Sequence, residues 1–294
     1  MTGSVPAPDL EQPQPALDSL VTLLDLEQLE VNLFRGVSPP DSPPRVFGGQ
    51  VAGQALVAAG RTVPDDRPVH SLHAYFIRPG DPQVPIIYQT EQVRDGRSFT
   101  TRRVLGIQHG EPIFSLSASF QVLEQGPEHT EPAPQGVPDP ESLPDMAERA
   151  RAGRLDGWLS RSPRPIDMRF VDEPLWSLDR TEASDGPTRV WMRADGKLAD
   201  DQLLHACLLT YASDLSLLSS VMARHRPRPG VQMASLDHAV WFHRSFRADE
   251  WLLYTCWSPT ATGARGLANG RFTDRDGRMV ATVVQEGLVR LPRE

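Results

Sequence analysis

Asp214 stands near the middle of Gln202–Met222, QLLHACLLTYASDLSLLSSVM, a stretch that is apolar on nearly every side. A helix that is hydrophobic all round is normally buried, and aspartate is almost never fully buried without a partner. One explanation is a satisfied core carboxylate, held by Ser213, Ser216 or a backbone N–H. The other is a carboxylate whose pKa is raised by partial burial until it can act as a base near neutral pH. The run has the length of a membrane span, but a central aspartate, His205 and four serines argue against that reading.

Other residues carry weaker signals. Asp237 and His238 adjoin in Val231–Phe242, a strand by pattern. Alternation along it puts Ser235, Asp237 and His243 on one face and His238 on the other, which makes a dyad or metal site unfavourable. His243 and Arg244 fit a polar sheet face or a subunit contact. Arg94, Arg97, Ser98 and Phe99 lie in ArgAspGlyArgSerPhe, followed by Arg102 and Arg103. Guanidinium groups suit bidentate phosphate contacts, although a solvated hairpin has the same composition. Gly48 and Gly49 open a helical stretch whose first N–H groups could receive an anion. No Gly-x-Ser-x-Gly elbow of a serine hydrolase occurs.

The elements that must position these residues follow from periodicity. Residues 1–16 hold four prolines and little to bury, and are expected to be disordered. Asp18–Leu33 reads as a short amphipathic helix, and Ser38–Pro44 as a loop. Val46–Gly60 reads as a helix with Gly53 inside it, a residue that costs about 1 kcal/mol there against Ala and so signals close packing. Four strands follow at Val69–Ile77, Pro85–Val93, Ser98–Ile107 and Ile113–Val122, separated by turn sequences. Residues 124–165 are rich in proline and acids, a linker with one short helix near Pro144–Ala152. Ile166–Val171 and Thr188–Arg193 are strand candidates, then comes Gln202–Met222 as one helix. Four strands close the chain at Val231–Phe242, Trp251–Trp257, Ala264–Thr273 and Met279–Val289.

The order helix, strand, strand, strand, strand thus occurs twice, with short matches at an offset of 164 such as Ser71–Leu72 and Ser235–Leu236. The fold class is α+β: two similar lobes, residues 17–123 and 166–294, whose antiparallel sheets run together with the helices on one side. At that offset Gln50 corresponds to Asp214. An amide opposite an acid suggests one active copy and one kept for a structural or binding role.

Composition narrows the class of function. The chain has 294 residues, 39% hydrophobic and 23% charged, ordinary for a soluble globular protein. A formal charge of −8 argues against general nucleic-acid binding. Cys207 and Cys256 lie in apolar segments and supply neither a disulfide framework nor a zinc site. With no apolar leader at the start of the sequence, a cytoplasmic protein is expected.

PheGlyGlyGlnValAlaGlyGlnAlaLeu from Phe47, HisAlaTyrPheIleArgProGlyAsp from His73, ArgAspGlyArgSerPhe, TyrAlaSerAsp and AspHisAlaValTrpPheHisArg occur in that order. On these motifs, over about Leu20 to Arg290, the chain resembles the acyl-CoA thioesterase II family. The resemblance implies a double hotdog fold, with two tandem hotdog lobes, a shared antiparallel sheet and two central helices. It implies hydrolysis of acyl-CoA to fatty acid and CoA with no metal, no cofactor and no covalent intermediate. It carries the catalytic roles to Asp214, Ser235 and Gln285, with serine where many members have threonine and the hydroxyl retained. It selects Gln285 over its neighbour Glu286, which strand parity puts on the opposite face. It makes Gly48, Gly49, Gln50, Arg94, Arg97, Ser98 and Phe99 candidates for substrate binding, the glycine turn being a candidate oxyanion donor. An acyl-CoA partner and a homo-oligomer, dimer or tetramer, are expected with it; no nucleic acid or membrane span is. Two rivals stay in view. One is a hydratase of the same fold, for which Asp201 and His205 are a poor match; the other is an acyl-CoA binding protein without turnover.

Overall fold

The computed structural model describes residues 13–39, 42, 44–153, 164–174, 177, 180–226 and 230–292. The chain begins with α1 (Pro13–Leu24), β1 (Glu27–Glu30), β2 (Leu33–Gly36) and α2 (Gly48–Gly60). Next come β3 (Val69–Phe76), β4 (Ile86–Asp95), β5 (Phe99–Gln108) and β6 (Glu111–Gln121). The second half holds α3 (Met146–Arg151), β7 (Ile166–Phe170), β8 (Thr188–Ala194), α4 (Gln202–Ser213) and α5 (Ser219–Ala223). It ends with β9 (Gln232–Ser235), β10 (Asp237–Phe242), β11 (Leu252–Thr262), β12 (Arg265–Thr273) and β13 (Met279–Arg290).

The strands form one antiparallel sheet in the order β1-β2-β4-β5-β6-β3-β10-β13-β12-β11-β8-β7, with β9 paired to β13. The two halves meet where β3 pairs with β10, Leu72 opposite Val240. The inward residues of these strands and of the adjoining β13, namely Leu72, Ala74, Val240, Val283 and Ala281, are buried against the helices. Each large apolar side chain so buried contributes about 1.5–3 kcal/mol. α2 and α4 lie against one another in antiparallel sense. A Cβ on Gly53 would come within 3.3 Å of the Cys207 carbonyl oxygen and 3.1 Å of Leu24, so glycine permits the close packing expected of it.

Several expectations change. Of the segment 1–16, residues 1–12 lie outside the described residues, while residues 13–16 form the first turn of α1, where proline is tolerated because its missing N–H has no helical partner. The helix expected over Asp18–Leu33 stops at Leu24, and the rest is the β1–β2 hairpin. Its turn places Asn32 at φ 64, a left-handed conformation that asparagine accepts more readily than most residues. Residues 40, 41 and 43 of the expected loop and 154–163 of the linker lie outside the described residues. The earlier part of the linker lies on the sheet face opposite α4. Trp191 Nε1 donates to the Pro138 carbonyl at 3.0 Å, Trp251 Nε1 to Glu141 at 2.9 Å, and Arg271 to Glu131 at 2.8 Å.

Two further differences shape the site. Gln202–Met222 is not one helix: α4 ends at Ser213, and turns over residues 214–218 separate it from α5. Serine hydroxyls compete for helix carbonyls, and here Ser213 Oγ donates to Thr210 and Ser219 Oγ to Ser216. The strand expected over Val231–Phe242 is broken at Leu236. Ser235 pairs with Gly287 and Ala239 with Val284, so four residues on one side are matched by three on the other. This bulge reverses the expected parity. Ser235 and His238 share the inner face, and Asp237 turns away to accept the Glu286 N–H at 2.6 Å.

Candidate active site

Asp214 caps the C-terminus of α4 and is partly exposed at the wall of a cleft. The buried Gln285 on β13 donates from Nε2 to Asp214 Oδ1 at 2.7 Å and to Ser235 Oγ at 2.8 Å. Ser235 donates to the same carboxylate oxygen at 3.2 Å. The Gly49 N–H, in the first turn of α2, also donates to the carboxylate. Three sequence-distant elements thus converge on one acid, and the Ser235 hydroxyl reaches it because the bulge at Leu236 reorients the strand.

Burial pushes the Asp214 carboxyl up to about 6, against the opposing effect of the hydrogen bonds from Gln285, Ser235 and Gly49. Desolvation disfavours the charged form more than these neutral donors favour it. The result is an acid ionised at neutral pH yet basic enough to accept a proton, the condition sought in a general base. Gly48 and Gly49 leave no room for a side chain here. A Cβ on Gly48 would lie 2.7 Å from Asp214 Oδ2, and one on Gly49 2.5 Å from the Tyr211 carbonyl.

The cleft has a volume of about 550 Å³. Phe47, Val51, Phe76, Phe114, Leu218 and Met233 give it apolar walls, and Phe76 and Phe114 pack with ring centroids 5.2 Å apart. Arg45 and Arg78 line it too. Sequence reasoning passed over both arginines, although Arg78 lies inside the HisAlaTyrPheIleArgProGlyAsp motif. The signal was a basic residue at the end of a strand leading to the site.

The other substrate-binding candidates lie elsewhere. Gln50 is buried and donates to the Val37 carbonyl and Ser38 Oγ, both at 3.1 Å, so it ties the chain after β2 to α2. The position matching Asp214 in the first half is therefore closed by a structural amide. Arg94, Arg97, Ser98 and Phe99 lie at and beside the β4–β5 turn, where Ser98 Oγ donates to Glu124 and the Phe99 ring meets His70 edge-on. That turn adjoins the Val69 end of β3, whereas Phe76 at the other end lines the cleft. Seven residues of strand separate these ends, about 23 Å. Arg102 is buried and bonded to Asp95 and Thr62. Asp201 caps the opposite end of α4, and His205 accepts the Ala248 N–H at 3.1 Å, which leaves that pair structural and remote from Asp214. Among the described residues no group of three or more His, Cys, Asp or Glu could hold a metal ion, and no helix is long and apolar enough to cross a membrane.

Comparison with known proteins agrees with this architecture. Residues 38–121 match the acyl-CoA thioesterase N-terminal domain, and residues 169–288 match acyl-CoA thioesterase. Mouse acyl-coenzyme A thioesterase 8 is 40% identical over 92% of this chain and 89% of its own length. Acyl-CoA thioesterase 2 of Haemophilus influenzae is 38% identical over 93% of this chain and 98% of its own. The crystal structure of an acyl-CoA thioesterase II from Mycobacterium marinum is 45% identical, with a TM-score of 0.77 over 93% of this chain and 98% of that one. The fold is a double hotdog, and the chain belongs to the acyl-CoA thioesterase II family.

Proposed function

We propose that this protein hydrolyses fatty acyl-CoA to a free fatty acid and CoA, with Asp214 as general base. The observation that carries the reading is the convergence of Gln285 and Ser235 on Asp214 Oδ1 beside an apolar cleft. Oδ1 already accepts from Gln285 and Ser235, and we assign the proton of the attacking water to Oδ2, beside Gly48. Water oxygen bonds to the thioester carbon while its proton passes to Asp214. The tetrahedral oxyanion then collapses, the carbon–sulfur bond breaks, and the departing thiolate recovers the proton from Asp214. No oxidant, metal or acyl-enzyme enters this balance.

In the first turn of α2, the Gln50 and Val51 N–H groups bond to the Phe47 carbonyl and Gly49 to Asp214. We assign the oxyanion to the Gly48 N–H, where the positive end of the helix dipole adds to the field. The acyl chain takes the wall of Phe47, Val51, Phe76 and Phe114. Arg45 and Arg78 are placed for the phosphates of CoA, in preference to the remote turn of Arg94 and Arg97. The two free, buried cysteines suit a reducing cytoplasm, and we retain a homo-oligomer as the assembly.

The test is thiol release from a panel of acyl-CoAs, short to long, with wild type and Asp214→Asn in parallel. Release by wild type alone supports the reading. Saturable binding without release by wild type would replace it with a binding protein.

A further inference from the structure

His238 plays no part in the chemistry above, yet it is 1% exposed and lies beneath the catalytic turn. Its Nε2 is 2.8 Å from Ser213 Oγ, on the residue immediately before Asp214. Ser213 Oγ donates to the Thr210 carbonyl at 2.9 Å, so its single proton is committed and it must accept from His238. This fixes the tautomer: Nε2 carries the hydrogen. Nδ1 is then a bare acceptor, in keeping with its having no hydrogen-bond partner in the protein. The Ser213 carbonyl is held from a third direction by the Tyr254 hydroxyl at 3.1 Å.

One residue beyond the Ala239–Val284 pair, at the edge of the bulge, the register carries His238 alongside Gln285, and both side chains are buried on the inner face of the sheet. One imidazole therefore adjoins both the residue before the base and the amide that orients it.

We propose that His238 is a positioning residue: by donating to Ser213 and packing beside Gln285, it fixes where the Asp214 carboxylate stands relative to the attacking water. The assignment rests on the hydrolase reading. Burial lowers the His238 imidazole to about 4, so it stays neutral while Asp214 titrates and the contact persists across the working range. A core histidine serving only to fill space would not need this hydrogen-bond geometry, and a phenylalanine could replace it.

The experiment compares wild type, His238→Gln, His238→Phe, Ser213→Ala and the double variant His238→Phe/Ser213→Ala. Glutamine presents an N–H at about the reach of Nε2; phenylalanine fills the space without one. Misplacing a reacting group by about 1 Å costs as much as 10²-fold, so His238→Phe is expected to lower kcat about 10- to 100-fold with little change in KM. His238→Gln is expected to recover most of that loss. The double variant should be no slower than His238→Phe alone. Unchanged kcat in His238→Phe, equal loss in both substitutions, or additive loss in the double variant would overturn the proposal. If His238→Phe does not fold, Ser213→Ala removes the same hydrogen bond, and wild-type kcat in that variant is equally decisive.

Failure of the hydrolase reading is recognised separately, by wild type releasing no thiol from any acyl-CoA. The inference is then decided by carbon-13 titration of the Asp214 carboxyl. Gln285, Ser235 and the Gly49 N–H face that carboxyl, Arg45 and Arg78 line its cleft, and Tyr211 and Tyr254 lie nearby. A titration shifted in His238→Phe and restored in His238→Gln supports positioning; identical titrations in all three overturn it.

Discussion

Gln285 Nε2 lies 2.7 Å from Asp214 Oδ1, joining the middle of β13 to the end of α4 across 71 residues of sequence. The same nitrogen bonds Ser235, so both amide hydrogens are used to arrange the acid and its hydroxyl neighbour. Replacing the amide by a carboxylate, Gln285→Glu, removes these donors and sets a second acid against the first. Like charges at this distance drive one pKa strongly upward. We expect kcat/KM at pH 7 to fall at least about 10²-fold and its acid limb to move to higher pH. A profile with the wild-type midpoint would show that Gln285 does not tune Asp214.

Asp214→Asn keeps the shape of the site and removes the base. General-base contributions are typically about 10²–10⁴-fold, and the loss should fall on kcat while acyl-CoA still binds. Steady-state kinetics with a parallel binding titration separates the two, and full activity in the variant would remove Asp214 from the mechanism.

The raised pKa also predicts how stability depends on pH. Asp214 binds its proton more tightly folded, at about 6, than unfolded, near 3.8. The stability linked to it is therefore fully present below about 3.8 and is lost as pH rises through about 6. At pH 8 the ionised, desolvated carboxylate opposes folding, and Asp214→Asn should show the higher Tm. The difference should shrink toward pH 4, where both side chains are neutral. Thermal denaturation at the two pH values checks this; a wild type more stable than the variant at pH 8 would contradict the sign.

The glycine pair offers a steric test. A Cβ at residue 48 meets a side-chain oxygen, Asp214 Oδ2, and the Phe76 ring, whereas a Cβ at residue 49 meets a backbone carbonyl. Side chains can give way more cheaply than backbone. Gly48→Ala is accordingly expected to fold and to lose activity by crowding the base, and Gly49→Ala to lose stability as well. Activity and Tm measured on both variants decide the matter.

How much of this was legible in the sequence depends on the range of the interaction concerned. Strand β3, the β4–β6 meander and the strands after Phe246 were readable because alternation and turn residues are local, and Asp214 stood out because an acid in an apolar run is anomalous. The bulge at Leu236 was not readable. Ser235–His238 alternates as any strand does, and only pairing with β13 shows the extra residue. That missed residue changed which side chains share the site, since it brings His238 under Ser213 and turns Asp237 outward. The end of α4 was likewise hidden, because the helix propensity of LeuSerLeuLeu does not reveal that Ser213 bonds a helix carbonyl and Ser219 the turn carbonyl of Ser216. The arginine turn at 94–97 matched phosphate chemistry by type, but its distance from the cleft is a property of the sheet order alone.

That distance separates two sets of arginines. Arg45 and Arg78 line the cleft with Asp214, whereas Arg94 and Arg97 lie about 23 Å of strand away. Arg78 bonds Glu111 and the Pro112 carbonyl, so its guanidinium is held in place at the end of β3. Removing a guanidinium from a phosphate contact weakens binding of any CoA ester and leaves a short CoA-free thioester unaffected. Arg45→Ala and Arg78→Ala are each expected to raise KM for acyl-CoA about tenfold, the loss of about 1.4 kcal/mol, with kcat/KM on the short thioester retained. Arg94→Ala and Arg97→Ala should change neither value within one chain. A selective KM increase in the second pair and not the first would move the phosphate site to the β4–β5 turn, reached from the active site of another subunit, and would make assembly a condition of CoA recognition.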